Sequence, residues 1–323
     1  MSMTVTNPEQ IAAQLQQQLS ASFVEVADFL DSSELDGGPS LRHLASLCPP
    51  GRLPPAAFGW FMELVEALES QTRERVQAVL DSLQTLQPHH GDFALLSLDD
   101  PSLQRCRQSY QRLMDTDPNA SFAITGATTE QLRRFQSELQ PCLALMRAAT
   151  PDYHRQLLAL TTQLVAVRPC GDNNTSQFDG GSTLMLWGAL FVNIEQSKSR
   201  VDWLQTLVHE SSHLMLFGRC SEQPPVLNDS SQGYRSPLRR ELRPMNGIYH
   251  ALYVTVQMQR ACRQLLAGQW LSEAERNYVA QSVADHAEVI ADCLATVEQQ
   301  AKLSAIGREI LDELVATAQN GNN

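Results

Sequence analysis

The sequence lacks the patterns that are typical of disulfide-linked, zinc-ribbon or membrane-anchored proteins. Its seven cysteines are scattered and odd in number, and no two form a C-x-x-C pair, which is typical of reduced thiols in a cytosol. No run approaches the ~18 consecutive apolar residues that a membrane span needs, and residues 1–10 carry no apolar signal core. We therefore expect a soluble, cytoplasmic protein with no membrane partner.

Positive charge is also scarce. The chain has 24 Lys and Arg residues against 36 Asp and Glu residues, which gives a net charge of −12 and a pI of about 5.1. A chain this acidic is a poor binder of nucleic acid or of anionic membranes, because its overall field repels polyanions. We expect no nucleic-acid partner, and the sequence carries no signal for an oligomeric state.

Length and periodicity predict a mainly helical fold. With 323 residues, 43% of them hydrophobic, the chain suits one large or two modest domains. Helical spacing dominates and includes one long amphipathic helix over 56–86, while strands are predicted at 164–168 and 183–193. We predict an α+β fold, predominantly helical, with a small antiparallel sheet beside the central helix. The expected division is an N-terminal helical region, 1–90, and a metal-binding domain, 91–323.

The central helix carries the sequence His209-Glu210-Ser211-Ser212-His213. Residues four apart share one helix face, so His209 and His213 can present two imidazoles to one divalent metal. Glu210 lies one step around the helix, where its carboxylate can reach a metal-bound water or orient a ligand. Two helical histidines can also be ordinary hydrogen-bonded groups, but the apolar flanks favour a metal site because buried unpaired polar groups are costly.

Two histidines need a third ligand to hold a catalytic metal. His250 lies 37 residues after His213 (250 − 213) in an otherwise apolar helical segment. A histidine in such a place is often a satisfied core residue, but beside a metal motif we favour ligation. The carboxylates that compete for this role are those of Asp229, Glu222 and Glu241.

A basic segment, 235–243, precedes the His250 helix. Arg243 lies two helical turns before His250 and could share its face. A guanidinium near the metal would suit a 2-oxo acid, which a metal chelates at one end and an arginine binds at the other. Arg239 is the competing arginine, and both could simply belong to a solvated basic loop.

The predicted strand 183–193 contains Gly188, which indicates a bulge or the close approach of another backbone. That backbone could be a peptide laid along an edge strand. A buried hairpin that feeds the core explains the glycine equally well.

Several segments occur in an order that resembles a known enzyme family. They are Phe178-Asp-Gly-Gly-Ser-Thr-Leu-Met-Leu-Trp-Gly-Ala-Leu-Phe-Val-Asn193, Leu207-Val-His-Glu-Ser-Ser-His-Leu-Met-Leu216, Tyr234-Arg-Ser-Pro-Leu-Arg239 and Arg243-Pro-Met-Asn-Gly-Ile-Tyr-His250. Over about residues 140–265 the chain resembles the HExxH-type peptide-modification family of ribosomal-peptide biosynthesis, the 2-oxoglutarate-dependent peptide β-hydroxylases. The regions on either side carry no recognised motif.

The resemblance implies Fe(II) as the metal and 2-oxoglutarate and O₂ as cosubstrates. It implies hydroxylation of a β-carbon in a precursor-peptide residue, with His209, His213 and His250 as iron ligands and Arg239 or Arg243 as the cosubstrate arginine. All-histidine ligation departs from the common two-histidine, one-carboxylate iron site, so Glu210 is expected to orient a ligand or bind a metal-bound water. Trp187 and Asn193 are candidates for contacts with the pocket or the peptide, although a core position is the simpler interpretation of Trp187.

Two other functions stay open at this point. The first is a zinc metallopeptidase, in which Glu210 acts as general base on a Zn(II)-bound water and Glu241 or Glu222 is the third ligand. The second is a non-catalytic module that binds a peptide or a partner enzyme.

Overall fold

The computed structural model describes residues 7–49, 51–114, 123–170, 178–236 and 239–320, without the side chains of 239–241 and 319–320. In these residues eleven α-helices accompany two small sheets. The predicted class, α+β and predominantly helical, is confirmed. No helix of the described ranges has the length and hydropathy to cross a membrane.

The contacts between residues divide the chain into two compact units. The sheet unit comprises residues 8–136 and 158–197, and the motif unit comprises Asn7, residues 137–157 and the chain from 198 onward. The boundary predicted at residue 90 lies inside the sheet unit. Residues 91–136 thus group with the N-terminal helices rather than with the HExxH helix.

Helices make up most of the first half of the chain. They are α1 (Pro8–Ser32), α2 (Gly38–Ser46), α3 (Pro55–Glu69), α4 (Arg73–Leu83), α5 (Arg107–Met114), α6 (Thr129–Ala149) and α7 (Pro151–Leu160).

The single long helix predicted over 56–86 is wrong, because the chain forms α3 and α4 in its place. Gln71 between them has φ +52°, a left-handed conformation that cannot continue a right-handed helix. Apolar periodicity alone did not reveal this break, because the apolar stripe resumes in phase in α4.

The sheet of the sheet unit has five strands: β1 (Ala94–Ser97), β2 (Ile124–Gly126), β3 (Gln163–Pro169), β4 (Gly180–Gly181) and β5 (Ala189–Asn193). β3 lies between β1 and β5 and is parallel to both. β2 pairs antiparallel with β3, and β4 pairs antiparallel with β5. Buried residues fill β3 and β5, as expected for strands that are covered on both faces. The two strands that the sequence predicted, 164–168 and 183–193, correspond to β3 and β5 of this sheet, and they pair parallel rather than antiparallel.

Gly188 marks the start of β5. Its φ is +96°, and a Cβ there would lie 3.1 Å from Oγ1 of Thr162. Its carbonyl accepts hydrogen bonds from the backbone N–H groups of Thr162 and Gln163. The strand predicted from Thr183 therefore begins only at Ala189, and the close approach at Gly188 comes from the chain itself.

The motif unit contains the remaining elements: α8 (Arg200–Arg219), β6 (Gly233–Ser236), β7 (Arg239–Pro244), α9 (Met245–Ala267), α10 (Glu273–Gln300) and α11 (Ala305–Asn320). α9 packs against α8, α10 and α11, and β6 and β7 form an antiparallel ribbon that contacts α9. The apolar core is centred on α9 and includes Met245, Ile248, Tyr249 and Leu252. α9 thus connects the HExxH helix, the ribbon and the C-terminal helices.

Candidate metal centre

The HExxH motif lies in the second half of α8, whose start is fixed by a capping box. The Ser199 hydroxyl accepts a hydrogen bond from the backbone N–H of Asp202, and the Asp202 carboxylate accepts one from the backbone N–H of Ser199. Such a reciprocal cap satisfies two N–H groups that the first turn would leave unpaired. The cap and the regular helix that follows bring His209 and His213 onto one face.

The two motif histidines lie close enough to share an ion. Nε2 of His209 is 3.2 Å from Nε2 of His213, and the ring centroids are 4.8 Å apart. Two nitrogen ligands at ~2.0–2.1 Å from a tetrahedral metal stand about 3.3 Å apart. The spacing of this pair therefore fits two ligands of one divalent metal.

His250 comes from α9 and lies against His213. Its Nδ1 is 3.3 Å from Nδ1 of His213, and the two rings stack with centroids 5.4 Å apart and an interplanar angle of 27°. The three predicted histidines are thus brought together from two helices.

The nitrogen atoms of the three histidines do not converge on one point. His213 presents Nε2 to His209 and Nδ1 to His250, on different sides of its own ring. In the described part of the chain, no group of three or more His, Cys, Asp or Glu side chains has the arrangement of a metal site as it stands. The donor types fit a divalent transition metal, but His250 has to turn before all three can bind one ion.

Phe217 packs against the histidine cluster and was missed by the sequence reasoning. Its ring centroid is 6.1 Å from that of His213, in a stacked geometry, and 5.3 Å from that of His250. The spacing could have indicated it, because Phe217 follows His213 by four residues on the same helix face. The Phe217 ring therefore forms an apolar wall against both imidazoles.

Burial keeps the two central imidazoles neutral. The pKa of His213 is lowered well below its usual value by burial first, and then by His209, His250 and Arg243. The pKa of His250 is lowered to about 4, again mainly by burial and then by Arg243. Both rings are therefore neutral at pH 7, which is the form that binds metals.

Glu210 is buried beside His209, with 3% of its surface exposed. Its Oε1 lies 3.9 Å from Nε2 of His209, a distance that allows an electrostatic interaction but is too long for a direct hydrogen bond between these two atoms. A buried carboxylate at this place can orient the imidazole or bind a water molecule on the metal. Both of the roles predicted for Glu210 fit its position.

The ribbon turns Arg243 toward the histidines. Arg243 pairs with Tyr234 across the ribbon, and directly opposite residues of an antiparallel pair share a face. Tyr234 is 6% exposed and belongs to the core, so this face points inward. The Arg243 guanidinium lies 3.4–3.6 Å from where a Cβ on Gly247 would be, one turn before His250, and it lowers the pKa of both His213 and His250.

The competing candidates fall elsewhere. The side chains of Arg239 and Glu241 lie outside the described residues, and Glu222 is exposed in the segment after α8. Asp229 is also exposed, and hydrogen bonds from Ser231 lower the pKa of its carboxyl group.

Trp187 and Asn193, the predicted peptide contacts, belong to the sheet unit. Trp187 is 1% exposed, with its ring centroid 5.7 Å from that of Phe58. The Asn193 side chain donates to the carbonyl of Phe178 and accepts from the backbone N–H of Glu195. Within that unit both side chains have structural contacts.

A further residue behind the motif was not predicted. Gln156 of α7 donates from Nε2 to the hydroxyls of Ser211 and Ser212, at 3.1 and 3.4 Å. These serines are the two variable positions of the motif, and both are fully buried. Gln156 therefore satisfies the hydroxyls that the motif places in the interior.

Comparison with known protein-family models and with curated protein sequences gives no match to this chain.

Proposed function

We propose that this protein is an Fe(II)- and 2-oxoglutarate-dependent dioxygenase that hydroxylates a β-carbon in a ribosomally made precursor peptide, in the cytoplasm. The overall reaction would convert the peptide C–H group, O₂ and 2-oxoglutarate into the peptide C–OH group, succinate and CO₂. Iron supplies the oxidising chemistry when it is bound. The family resemblance of the motif segments is the basis for the substrate class.

The observation that carries the proposal is the position of His250 and Arg243 beside the HExxH pair. His250 lies 3.3 Å from His213 although the two residues are 37 positions apart (250 − 213). Arg243 lies near both. A neutral histidine cluster with a guanidinium at its edge combines the groups that a metal-chelating dicarboxylate needs.

Each residue has a role that follows from its position. His209, His213 and His250 would hold the metal through neutral nitrogens, and His250 would turn to do so. Arg243 would bind the distal carboxylate of 2-oxoglutarate, because a guanidinium pairs with carboxylates in a bidentate geometry. Glu210 would orient His209, and Phe217 would exclude water from one side of the cluster.

A zinc metallopeptidase is the second candidate, and the buried Glu210 favours it. A carboxylate 3.9 Å from a ligand nitrogen lies where a general base for a Zn(II)-bound water is expected. This candidate needs a third ligand as well, and His250 is nearer to the pair than the exposed Glu222 is.

The test is anaerobic reconstitution of the purified protein with Fe(II), followed by titration with 2-oxoglutarate. Chelation of the oxo acid to iron is expected to give a visible charge-transfer absorption. His250→Ala should abolish it, and Arg243→Ala should raise the 2-oxoglutarate concentration needed to develop it by about tenfold or more, the equivalent of one charge-assisted pair. His43→Ala and Arg73→Ala, which change exposed residues of the sheet unit, are the matched controls.

The alternatives give different results. Tight Zn(II) binding without the absorption, together with peptide cleavage that Glu210→Gln abolishes, would assign the protein as a metallopeptidase. Peptide binding without any metal binding would leave the non-catalytic module.

A further inference from the structure

The β6–β7 ribbon has one buried face and one exposed face. Tyr234 and Arg243 face the core. Gly233 and Pro244 pair on the opposite face, and Leu242 lies beside them, because a Cβ on Gly233 would lie 2.7 Å from the Leu242 Cβ. Arg235 lies in β6 where the register of the ribbon shifts, between Tyr234 and Ser236. It is exposed, as are Gly233, Leu242 and Pro244.

The exposed face combines an apolar side chain with positive charge. Leu242 is 60% exposed, the largest fraction among the exposed large hydrophobic side chains of the described residues. The nine-residue segment 235–243 contains four arginines and one glutamate, a net charge of +3 (4 − 1) on a chain whose net charge is −12. Arg243 faces the core and the side chains of 239–241 lie outside the described residues, so Arg235 is the arginine that the structure places on the exposed face. A basic segment on an acidic protein attracts anionic groups locally, and the rest of the surface repels large polyanions.

The ribbon has only two strands. In the described part of the chain β6 and β7 pair with each other alone, so each strand has an outer edge that meets no further strand. An extended peptide can add to such an edge through main-chain hydrogen bonds, while its alternate side chains read the exposed face. Proteins usually protect ribbon edges of this kind with charged side chains. Here the exposed charged side chain is that of Arg235, whose positive charge favours an acidic partner.

The ribbon leads directly into the histidine cluster. β7 ends at Pro244 and α9 begins at Met245. His250 lies six residues beyond Pro244, which is about 9 Å along a helix. A peptide bound along the ribbon would therefore have its neighbouring residues within a short extended segment of the cluster.

We propose that an extended, acidic peptide segment docks along an outer edge of the β6–β7 ribbon, with acidic side chains at Arg235 and an apolar side chain at Leu242. This proposal deepens the proposed function, because it says which part of the substrate peptide the protein binds outside the reacting residue. That the bound peptide is the substrate rests on the proposed function. Peptide binding itself needs no metal.

The test is fluorescence anisotropy with the full chain in the presence of a metal chelator. The probe is a labelled synthetic peptide of the repeat Glu-Thr-Val-Thr (the Glu-Thr peptide), in which acidic and apolar side chains alternate on one face. The comparisons are the same peptide with Gln or with Lys in place of Glu (the Gln-Thr and Lys-Thr peptides) and a Glu-Thr peptide that is N-methylated at alternate residues. We expect the Glu-Thr peptide to bind most tightly and N-methylation to abolish binding. Arg235→Glu should weaken binding about fivefold, and Leu242→Ser should weaken it by a similar factor. Arg73→Glu, an equal charge change at an exposed position of the sheet unit, should leave binding unchanged.

Three results would overturn the proposal: equal binding of the Glu-Thr and Lys-Thr peptides, equal effects of Arg235→Glu and Arg73→Glu, or tighter binding of a single-stranded oligonucleotide than of the acidic peptide. Circular dichroism of each variant separates a lost contact from a lost fold. Because the assay contains a chelator, its outcome is independent of the iron titration. Peptide binding without iron binding would retain the docking surface and reject the oxygenase.

Discussion

The end of the HExxH helix is held by a buried cation, and this gives a sharp prediction about stability. Arg219, whose side chain is 6% exposed, forms two short bonds to the Glu313 carboxylate of α11, at 2.6 and 3.0 Å. The Glu313 side chain is 34% exposed. Removing Glu313 and removing Arg219 should therefore change stability by different amounts. An unpaired Glu313 carboxylate can turn to water, whereas an unpaired Arg219 guanidinium stays buried.

The magnitudes follow from this difference. Removing one partner of a buried pair typically costs about 3–5 kcal/mol when the other stays buried and charged. Glu313→Ala leaves Arg219 buried and charged, with its hydrogen bond to Tyr253 and with the Glu309 carboxylate, 3.6 Å away and 65% exposed, which can offset up to about 1 kcal/mol. We expect Glu313→Ala to lower the free energy of unfolding by about 3 kcal/mol. Arg219→Met removes the buried charge and keeps the aliphatic stem, so we expect a loss of about 1 kcal/mol.

The assay is urea unfolding followed by far-UV circular dichroism, with Glu309→Ala as the control that should cost less than about 0.5 kcal/mol. The double variant Arg219→Met/Glu313→Ala should be about as stable as Arg219→Met alone, because no charge is then buried. The reasoning is refuted if Arg219→Met costs as much as Glu313→Ala, or if the double variant is the least stable of the three.

Three further predictions concern the site and its surroundings. Gly247→Ala should leave 2-oxoglutarate binding unchanged, because its Cβ would meet Arg243 at an ordinary contact distance of 3.4 Å, whereas Gly247→Leu should displace the guanidinium and weaken binding at least tenfold in the iron titration. Zn(II) or Fe(II) at about one hundred times its dissociation constant should add about 2.7 kcal/mol to the free energy of unfolding, and His209→Ala should remove this gain. The pKa of Glu275 is lowered to about 2, mainly by its hydrogen bond with Arg200, so the pair stabilises the fold above about pH 4.5 and this contribution is lost as the pH falls toward 2. Both side chains are partly exposed, so Arg200→Met should cost about 1 kcal/mol at neutral pH. The cost should be clearly smaller near pH 2, where only the hydrogen bond from Arg200 to the Trp270 carbonyl is still lost, as measured by unfolding across that range.

The features that could be predicted from the sequence are those that depend on residues a few positions apart. The HExxH helix, the helix after Pro244 and the strand at 164–168 follow from spacing and from turn residues, which act over a few positions. The helix break at Gln71 and the late start of β5 at Ala189 were missed, because both depend on backbone conformations that an apolar pattern does not encode.

The site shows the same division between local and tertiary information. The i, i+4 spacing is enough to place His209 beside His213, and an otherwise apolar helix made His250 a candidate. The orientation of the imidazoles could not be predicted, because it depends on packing against Phe217. Nor could the sequence choose between the arginines, since the inward direction of Arg243 follows from its pairing with Tyr234 in an irregular ribbon.

The 37 positions between His213 and His250 have a consequence for the unfolded chain. An ion held by both residues would join α8 to α9 and close the intervening segment, which contains the ribbon, into a loop. In the chain-entropy treatment of cross-links, a loop of that length removes about 4 kcal/mol of denatured-state freedom, comparable to a disulfide bond. His209 and His213 alone close a loop of one helical turn and gain little in this way. A third ligand on a separate helix would therefore make the metal a cross-link of the tertiary fold, in a chain whose described cysteines are all free thiols.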